Sequence, residues 1–402
     1  MSEIKVVHLS NYDVGLRIHM RNYMRYLCDQ GYDVSIVCNP GRFLKGDMVT
    51  EDGISVKAIP FPHSISPLAD LKTVWALYRY FRQERFDIVH THTVKPGLLG
   101  RLAASFARVP IIVHTIHGFP FYDEMNPRLS WLMVNIERIG GRLCDSMLSQ
   151  NREDMETAVE KGICPAAKLH YLGNGIDVQR FHPSLVTPGL VAAKRAELGL
   201  SPEDKVIGMI GRLVREKGFF EYLEAARIFK MRGERVKFLA VGAIHKKQGV
   251  AIDDLGALIR QYDLEDTVLF LGQRDDVPEL MAAMDLVVLA SYNEGIPRVL
   301  MEAAALGKPT IGTDVRGTRE TIVDGVTGRL VSVKDPEALA NAIGELPADP
   351  AQAVDMGRAA RQHAEVHFDE RNYFRRTDEE YRRLIEIKLG RSQTYGLKAL
   401  PE

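Results

Sequence analysis

The chain has 402 residues, of which 46% are apolar and 26% charged, a globular composition that excludes a disordered or fibrous protein and exceeds one ordinary hydrophobic core. Its 52 basic and 53 acidic side chains nearly cancel, so no overall positive field exists to attract nucleic acid and no nucleic-acid partner is expected. The four cysteines, Cys28, Cys38, Cys144 and Cys164, include no CxxC pair, which argues against a zinc site or a disulfide scaffold and fits a reducing cytoplasm.

The sequence opens directly on the strand-like run Ile4-Lys5-Val6-Val7-His8-Leu9. No basic segment precedes a long apolar one, and no stretch approaches about 18 uninterrupted apolar residues, so the expectation is a cytoplasmic protein that does not cross a membrane. Further strands are predicted at Asp33 to Cys38, Ile54 to Ile59, Asp87 to His90 and Ile111 to Ile116, with helices near Ile18 to Asp29, Leu68 to Gln83 and Leu98 to Phe106. Short β-branched runs alternating with helical periodicity make parallel sheets covered on both faces, here one doubly wound α/β domain.

The turn-rich segment Gly173-Asn174-Gly175-Ile176-Asp177, followed by Phe181-His182-Pro183, marks a linker. The pattern restarts at Val206 to Ile210 and continues through Val236 to Val241, Val268 to Phe270, Leu286 to Leu289, Pro309 to Gly312 and Gly328 to Val331, a second doubly wound domain. The predicted division is therefore residues 1–182, residues 183–370, and a closing helix with its tail at 371–402. That helix carries Tyr373, Phe374, Tyr381, Leu384 and Ile385, and packing back on the first domain would bury its apolar face.

Two segments could carry chemistry together. In Ser291-Tyr292-Asn293-Glu294-Gly295-Ile296-Pro297-Arg298-Val299-Leu300-Met301-Glu302, a strand leads into a loop and Pro297 suits the first position of a helix. Glu294 then lies in the loop and Glu302 on the second helical turn, too far apart for a tight acid/base pair but suited to separate parts of one extended ligand. In Gly211-Arg212-Leu213-Val214-Arg215-Glu216-Lys217-Gly218, a glycine-lined turn after a buried strand places a guanidinium and an ammonium at the mouth of the same sheet, as a diphosphate site requires. No GxxxxGK[ST] loop occurs.

The pairing of Gly211-Arg212…Lys217-Gly218 with Glu294…Glu302, in that order and spacing, resembles the retaining GT-B glycosyltransferases of family 4 (glycosyl transferases group 1). The likeness includes Asp314-Val315-Arg316-Gly317-Thr318-Arg319-Glu320 and Asp324-Gly325-Val326-Thr327-Gly328. It implies two Rossmann-like domains facing across a cleft, and a nucleotide diphosphate sugar as co-substrate, with UDP favoured over GDP-mannose. It further implies no cofactor and no metal, and a saccharide or lipid-linked acceptor. By the same resemblance Arg212 and Lys217 neutralise the donor diphosphate, Glu294, Gly295 and Ile296 hold the donor sugar, and Glu302 binds ribose.

His117, in Val113-His114-Thr115-Ile116-His117-Gly118-Phe119-Pro120, matches a family histidine that contacts the donor sugar near the reaction centre, and it joins Glu294 as a catalytic candidate. A histidine at a strand's carboxyl end can donate to a hydroxyl or a developing charge. His90, His92 and His114 are assigned to packing. Family members often carry paired glycines after the first strand, whereas Asn11-Tyr12-Asp13-Val14-Gly15-Leu16-Arg17 offers only Gly15 for the diphosphate. Leu68 to Arg82, with Lys72, Arg79, Arg82 and Arg85 alongside, reads as an ordinary helix or one that touches a membrane surface peripherally. The alternatives are a nucleotide-sugar 2-epimerase on the same scaffold and a non-catalytic nucleotide-sugar-binding partner.

Overall fold

Six of the seven residues in Ile4–Ser10 are buried, so both faces of this strand are covered, as in a parallel sheet flanked by helices. The computed structural model describes residues 4–11, 20–41, 44, 46–50, 52–62, 66–121, 125–185, 187–242, 252–348 and 350–390. Two compact units result, Met1–Gly173 with Arg371–Glu402, and Asn174–Glu370.

In the first unit eight strands run in the order Met48–Val49, Ser55–Ala58, Tyr32–Cys38, Ile4–Ser10, Ile88–His92, Ile111–Ile116, Ser146–Ser149, Leu169–Tyr171. All pair in parallel except Met48–Val49. Val7 and Leu9 face one apolar layer with Leu77, Phe81 and Ala103. Ile4 and Val6 face another, with Tyr23, Tyr32 and Tyr381. The final helix, Glu370–Leu389, closes this second layer through Phe374, Tyr381, Leu384 and Ile385, spaced three and four apart on one stripe. The Tyr32 hydroxyl donates to Asp378 on that helix at 2.7 Å.

Two strands of this sheet, Ser146–Ser149 and Leu169–Tyr171, are too short to stand out as β-branched runs. The helix Val94–Ala107 begins before Leu98, because Pro96 falls in the first turn, where its missing N–H costs nothing.

The second unit has six parallel strands in the order Val268–Gly272, Val236–Val241, Lys205–Ile210, Leu286–Leu289, Thr310–Thr313, Gly328–Val331. Strand order reverses between Lys205–Ile210 and Leu286–Leu289, so the loops leaving these two strands flank a switch point, the usual ligand position of an open parallel sheet. The units divide at Gly173, earlier than the 182/183 boundary read from the turn-rich segment. Ile176, Val178 and Phe181 belong to the second unit's core, and Ile176 bridges to Asp369 at the unit's other end.

Candidate active site

Three loops of the second unit are locked together at the carboxyl ends of its strands. The Tyr292 N–H donates to the Glu216 carbonyl at 2.9 Å, and the Gly317 N–H to the Glu294 carbonyl at 3.3 Å. The buried Thr313 hydroxyl donates to the Ser291 carbonyl. Two glycines permit this proximity. Gly218 has φ +76°, and a Cβ there would lie 2.0 Å from the Ala290 carbonyl oxygen; one on Gly317 would lie 1.6 Å from that of Gly295. A side chain at either position would push the loops apart.

Within this frame the Lys217 ammonium forms an ion pair and hydrogen bond with the Glu294 carboxylate, their side chains only 20% and 10% exposed. Lys217 sits on the short 3-10 turn Arg215–Lys217, which Gly218 ends in the left-handed region. Arg212 is exposed on the same loop, two residues past the strand Lys205–Ile210. Pro297 is the N-cap of the helix Arg298–Ala305, one position before its predicted place, with an extended ψ of 107°. Glu302 still falls on the second turn. Its side chain is 15% exposed, with the Arg298 guanidinium 3.8 Å away. Burial raises its pKa, while Arg298 and Arg180 oppose the rise.

Arg298 also donates to the Gly175 carbonyl at 2.6 Å, which ties the turn after Gly173 to the same helix. Ile296 is 9% exposed and packs in the core. Any part it takes in binding therefore falls to its backbone. Gly15 lies outside the described residues.

In the first unit His117 follows the strand Ile111–Ile116, with part of its ring exposed. Its Nε2 meets His92 Nδ1 at 3.0 Å. His92 Nε2 in turn meets His8 Nδ1 at 3.0 Å. His90 meets the Tyr381 hydroxyl through Nδ1 at 2.5 Å and the Thr115 hydroxyl through Nε2 at 2.7 Å. His8 Nε2 lies 3.4 Å from the same Tyr381 hydroxyl. Burial holds His8 down at about 3 and His90 and His92 well below the ordinary 6.5, so all three are neutral. His117 is pushed down to about 4 by its protein surroundings, with a Gln150 hydrogen bond opposing.

His8, His90 and His92 bring one nitrogen each to within 4.8 Å of one another. Every nitrogen of the three already has a hydrogen-bond partner. Their rings also stack, at 17° for His8 on His92 and 27° for His90 on His92, so the in-plane lone pairs do not converge as a metal's ligands must.

Residues 191–363 match the family model for glycosyl transferases group 1, and residues 14–175 that for the glycosyl transferase 4-like domain. The chain is 28% identical over 351 residues to UDP-Gal:alpha-D-GlcNAc-diphosphoundecaprenol alpha-1,3-galactosyltransferase of Escherichia coli, covering 85% of this chain and 87% of that one. It is 29% identical to the putative glycosyltransferase EpsD of Bacillus subtilis, over 90% and 92% of the two chains. The chain belongs to the group 1 glycosyltransferases of family 4 type. It is a glycosyltransferase of glycan biosynthesis.

The transferase has the GT-B type of fold. Anabaena HepE, solved with UDP and glucose, superposes with a TM-score of 0.79 at 22% identity over 94% of this chain and 99% of that one. Sucrose-phosphate synthase of Thermosynechococcus elongatus superposes with 0.82 at 22% identity over 96% and 100%. Among the described residues no helix of the transferase is long and apolar enough to cross a membrane.

The structure thus draws Lys217 and Glu294 into direct contact and places Arg212 and Glu302 on the two flanking segments. Sequence reading missed the glycine at 317 as a loop junction and the whole network behind His117. His90 and His92, assigned to packing, alternate on one strand face, and strand register sets His8 opposite His90 and His92 opposite Thr115. His114 is the exception. It pairs in register with Thr91 on the other face, and its Nδ1 meets the Thr91 hydroxyl at 2.9 Å. The period-two repeat of His90 and His92 was the available signal.

Proposed function

We propose that the transferase moves a hexose or N-acetylhexosamine from a nucleotide diphosphate sugar, a UDP-sugar in preference to GDP-mannose, to a saccharide or lipid-linked saccharide with retention at the anomeric carbon. The observation that carries this reading is the Lys217–Glu294 pair, on the loop that also carries Arg212, at the switch point of the second sheet. Cations there neutralise a diphosphate, and a carboxylate poised next to them meets sugar hydroxyls. Glu302 takes the ribose, Glu294, Gly295 and the Ile296 backbone the donor sugar, and Gly15 an amide contact to the diphosphate. His117 serves as a donor to the sugar.

The donor preference is supported by the UDP-Gal named for the Escherichia coli relative, and the lipid-linked acceptor by its diphosphoundecaprenol. Among the described residues of this site, Glu294 is held by Lys217 rather than freed as a nucleophile, and we assign no base for inverting attack. The departing diphosphate oxygen therefore takes the acceptor's proton on the same face, through a short-lived oxocarbenium-like species. We assign the reaction to the cytoplasm, with peripheral membrane contact through the helix Pro67–Glu84, where Leu68, Leu71 and Trp75 are exposed.

Proton NMR of the first-formed product tests the reading. Retained anomeric coupling is expected, and an inverted coupling or a sugar ester trapped on Glu294 overturns it. Conversion of the donor sugar without any acceptor would instead establish an epimerase.

A further inference from the structure

We infer that His8, His92 and His117, entered from the Tyr381 hydroxyl, form a hydrogen-bonded wire with two proton orders, and that this order fixes whether His117 Nδ1 donates or accepts. Strand register makes the wire: His8, His90, His92 and Thr115 share the sheet face that the final helix covers, and Tyr381 of that helix reaches His8 and His90. His8 is 0% exposed, His90 0%, His92 2% and Tyr381 0%, so no solvent competes for the bonds among these four, and the wire reaches solvent only at His117.

A neutral imidazole carries one N–H and one lone pair, so a ring that donates through one nitrogen accepts through the other. The two contacts at 3.0 Å, His8 Nδ1 to His92 Nε2 and His92 Nδ1 to His117 Nε2, each need one donor and one acceptor. The roles therefore propagate without a break. If the Tyr381 hydroxyl donates to His8 Nε2, then His8 and His92 donate onward through Nδ1, and His117 receives at Nε2 and bears its proton on Nδ1. If His8 Nε2 donates to Tyr381, every ring reverses, and His117 Nδ1 becomes a lone pair.

Tyr381 has one hydroxyl proton and, besides a contact from the Tyr23 hydroxyl, two imidazoles to serve, His8 at 3.4 Å and His90 at 2.5 Å. Its choice between them is read at the far end of the wire. The Gln150 side chain that contacts His117 does not settle the order, because an amide offers both an oxygen acceptor and an N–H donor. Tyr381, His8 and His92 are thus positioning residues. They decide which hydrogen-bond partner His117 can take, a sugar hydroxyl oxygen in one order and a hydroxyl proton in the other. That functional consequence rests on the transfer reading; the proton order does not.

The test is 15N NMR of the histidine rings in the full-length, ligand-free protein, where the two ring nitrogens report the tautomer directly. All three rings should be neutral and of one sense, all Nδ1–H or all Nε2–H. Tautomers of mixed sense among His8, His92 and His117, or a charged ring among them at neutral pH, overturn the proposal without any variant. In Tyr381→Phe, which keeps the ring but removes the hydroxyl, His117 should move from a single tautomer to a mixture, although it does not touch residue 381. The kcat should fall with KM unchanged. An unaltered His117 tautomer in a folded Tyr381→Phe protein also overturns it. Absent transferase activity together with three concordant tautomers would refute the transfer reading and leave the wire standing.

Discussion

Acidification should unfold the first unit from within. His8, His90, His92 and His114 are at most 4% exposed, and burial holds each well below its ordinary pKa of 6.5. The unfolded chain therefore takes up protons that the folded chain refuses. Stability is fully present above the unfolded pKa of 6.5 and is lost as pH falls from there toward the folded values, about 3 for His8.

Each proton bound only by the unfolded state tilts stability by about 1.4 kcal/mol per pH unit, so four groups tilt it by about 5 kcal/mol per unit once the unfolded rings are charged. Against a typical domain stability of about 5–15 kcal/mol, the unit should come apart within about one to three pH units below 6.5. Both tryptophans, Trp75 and Trp131, lie in this unit. Urea melts followed by tryptophan fluorescence at a series of pH values therefore isolate it. A dependence between about pH 6 and 5 of one proton or less would refute the reasoning.

Arg212→Ala and Lys217→Ala should each lose a charge-assisted contact of about 1.5–3 kcal/mol, roughly ten- to a hundredfold in nucleotide affinity, and calorimetry showing unchanged UDP and GDP binding in both would remove the diphosphate assignment. Glu294→Gln should slow transfer while free UDP binds as well or better, because Lys217 loses its internal partner; weaker UDP binding would contradict that account. No D-x-D triplet occurs in the chain, so turnover should survive excess EDTA, and a large loss restored specifically by Mg²⁺ or Mn²⁺ would contradict a metal-independent leaving group. Anionic vesicles should float the protein and salt should release it, since exposed charges are screened over about 8 Å at physiological ionic strength; equal flotation with neutral vesicles would eliminate an electrostatic contribution.

Much of this was legible in the sequence because it depends on local pattern. The β-branched run Leu286 to Leu289, the glycine at 218 and the stripe Phe374, Tyr381, Leu384 each announce their element through period or composition. What was not legible depends on register between distant strands. His8 and His90 are opposite one another only because two parallel strands align at that residue, and no spacing along the chain encodes it. The Lys217–Glu294 pair was hidden for a related reason. Each residue was assigned its own part of a ligand, whereas glycine contacts at 218 and 317 draw the loops close enough for the two to neutralise each other.

The helix Glu370–Leu389 has a consequence for how the chain is made. The first unit is discontinuous, interrupted between Gly173 and Arg371, whereas Asn174–Glu370 is one continuous stretch. On the ribosome, the later unit can therefore finish folding before the earlier one. At about 5–20 residues per second, the roughly 200 intervening residues take some 10–40 s to synthesise. Throughout that interval the sheet face bearing Tyr23, Tyr32 and the buried imidazoles has no Phe374 or Tyr381 to cover it. A premature stop between Asn174 and this helix would thus disable the amino-terminal half of the protein, although every residue of that half had been translated correctly.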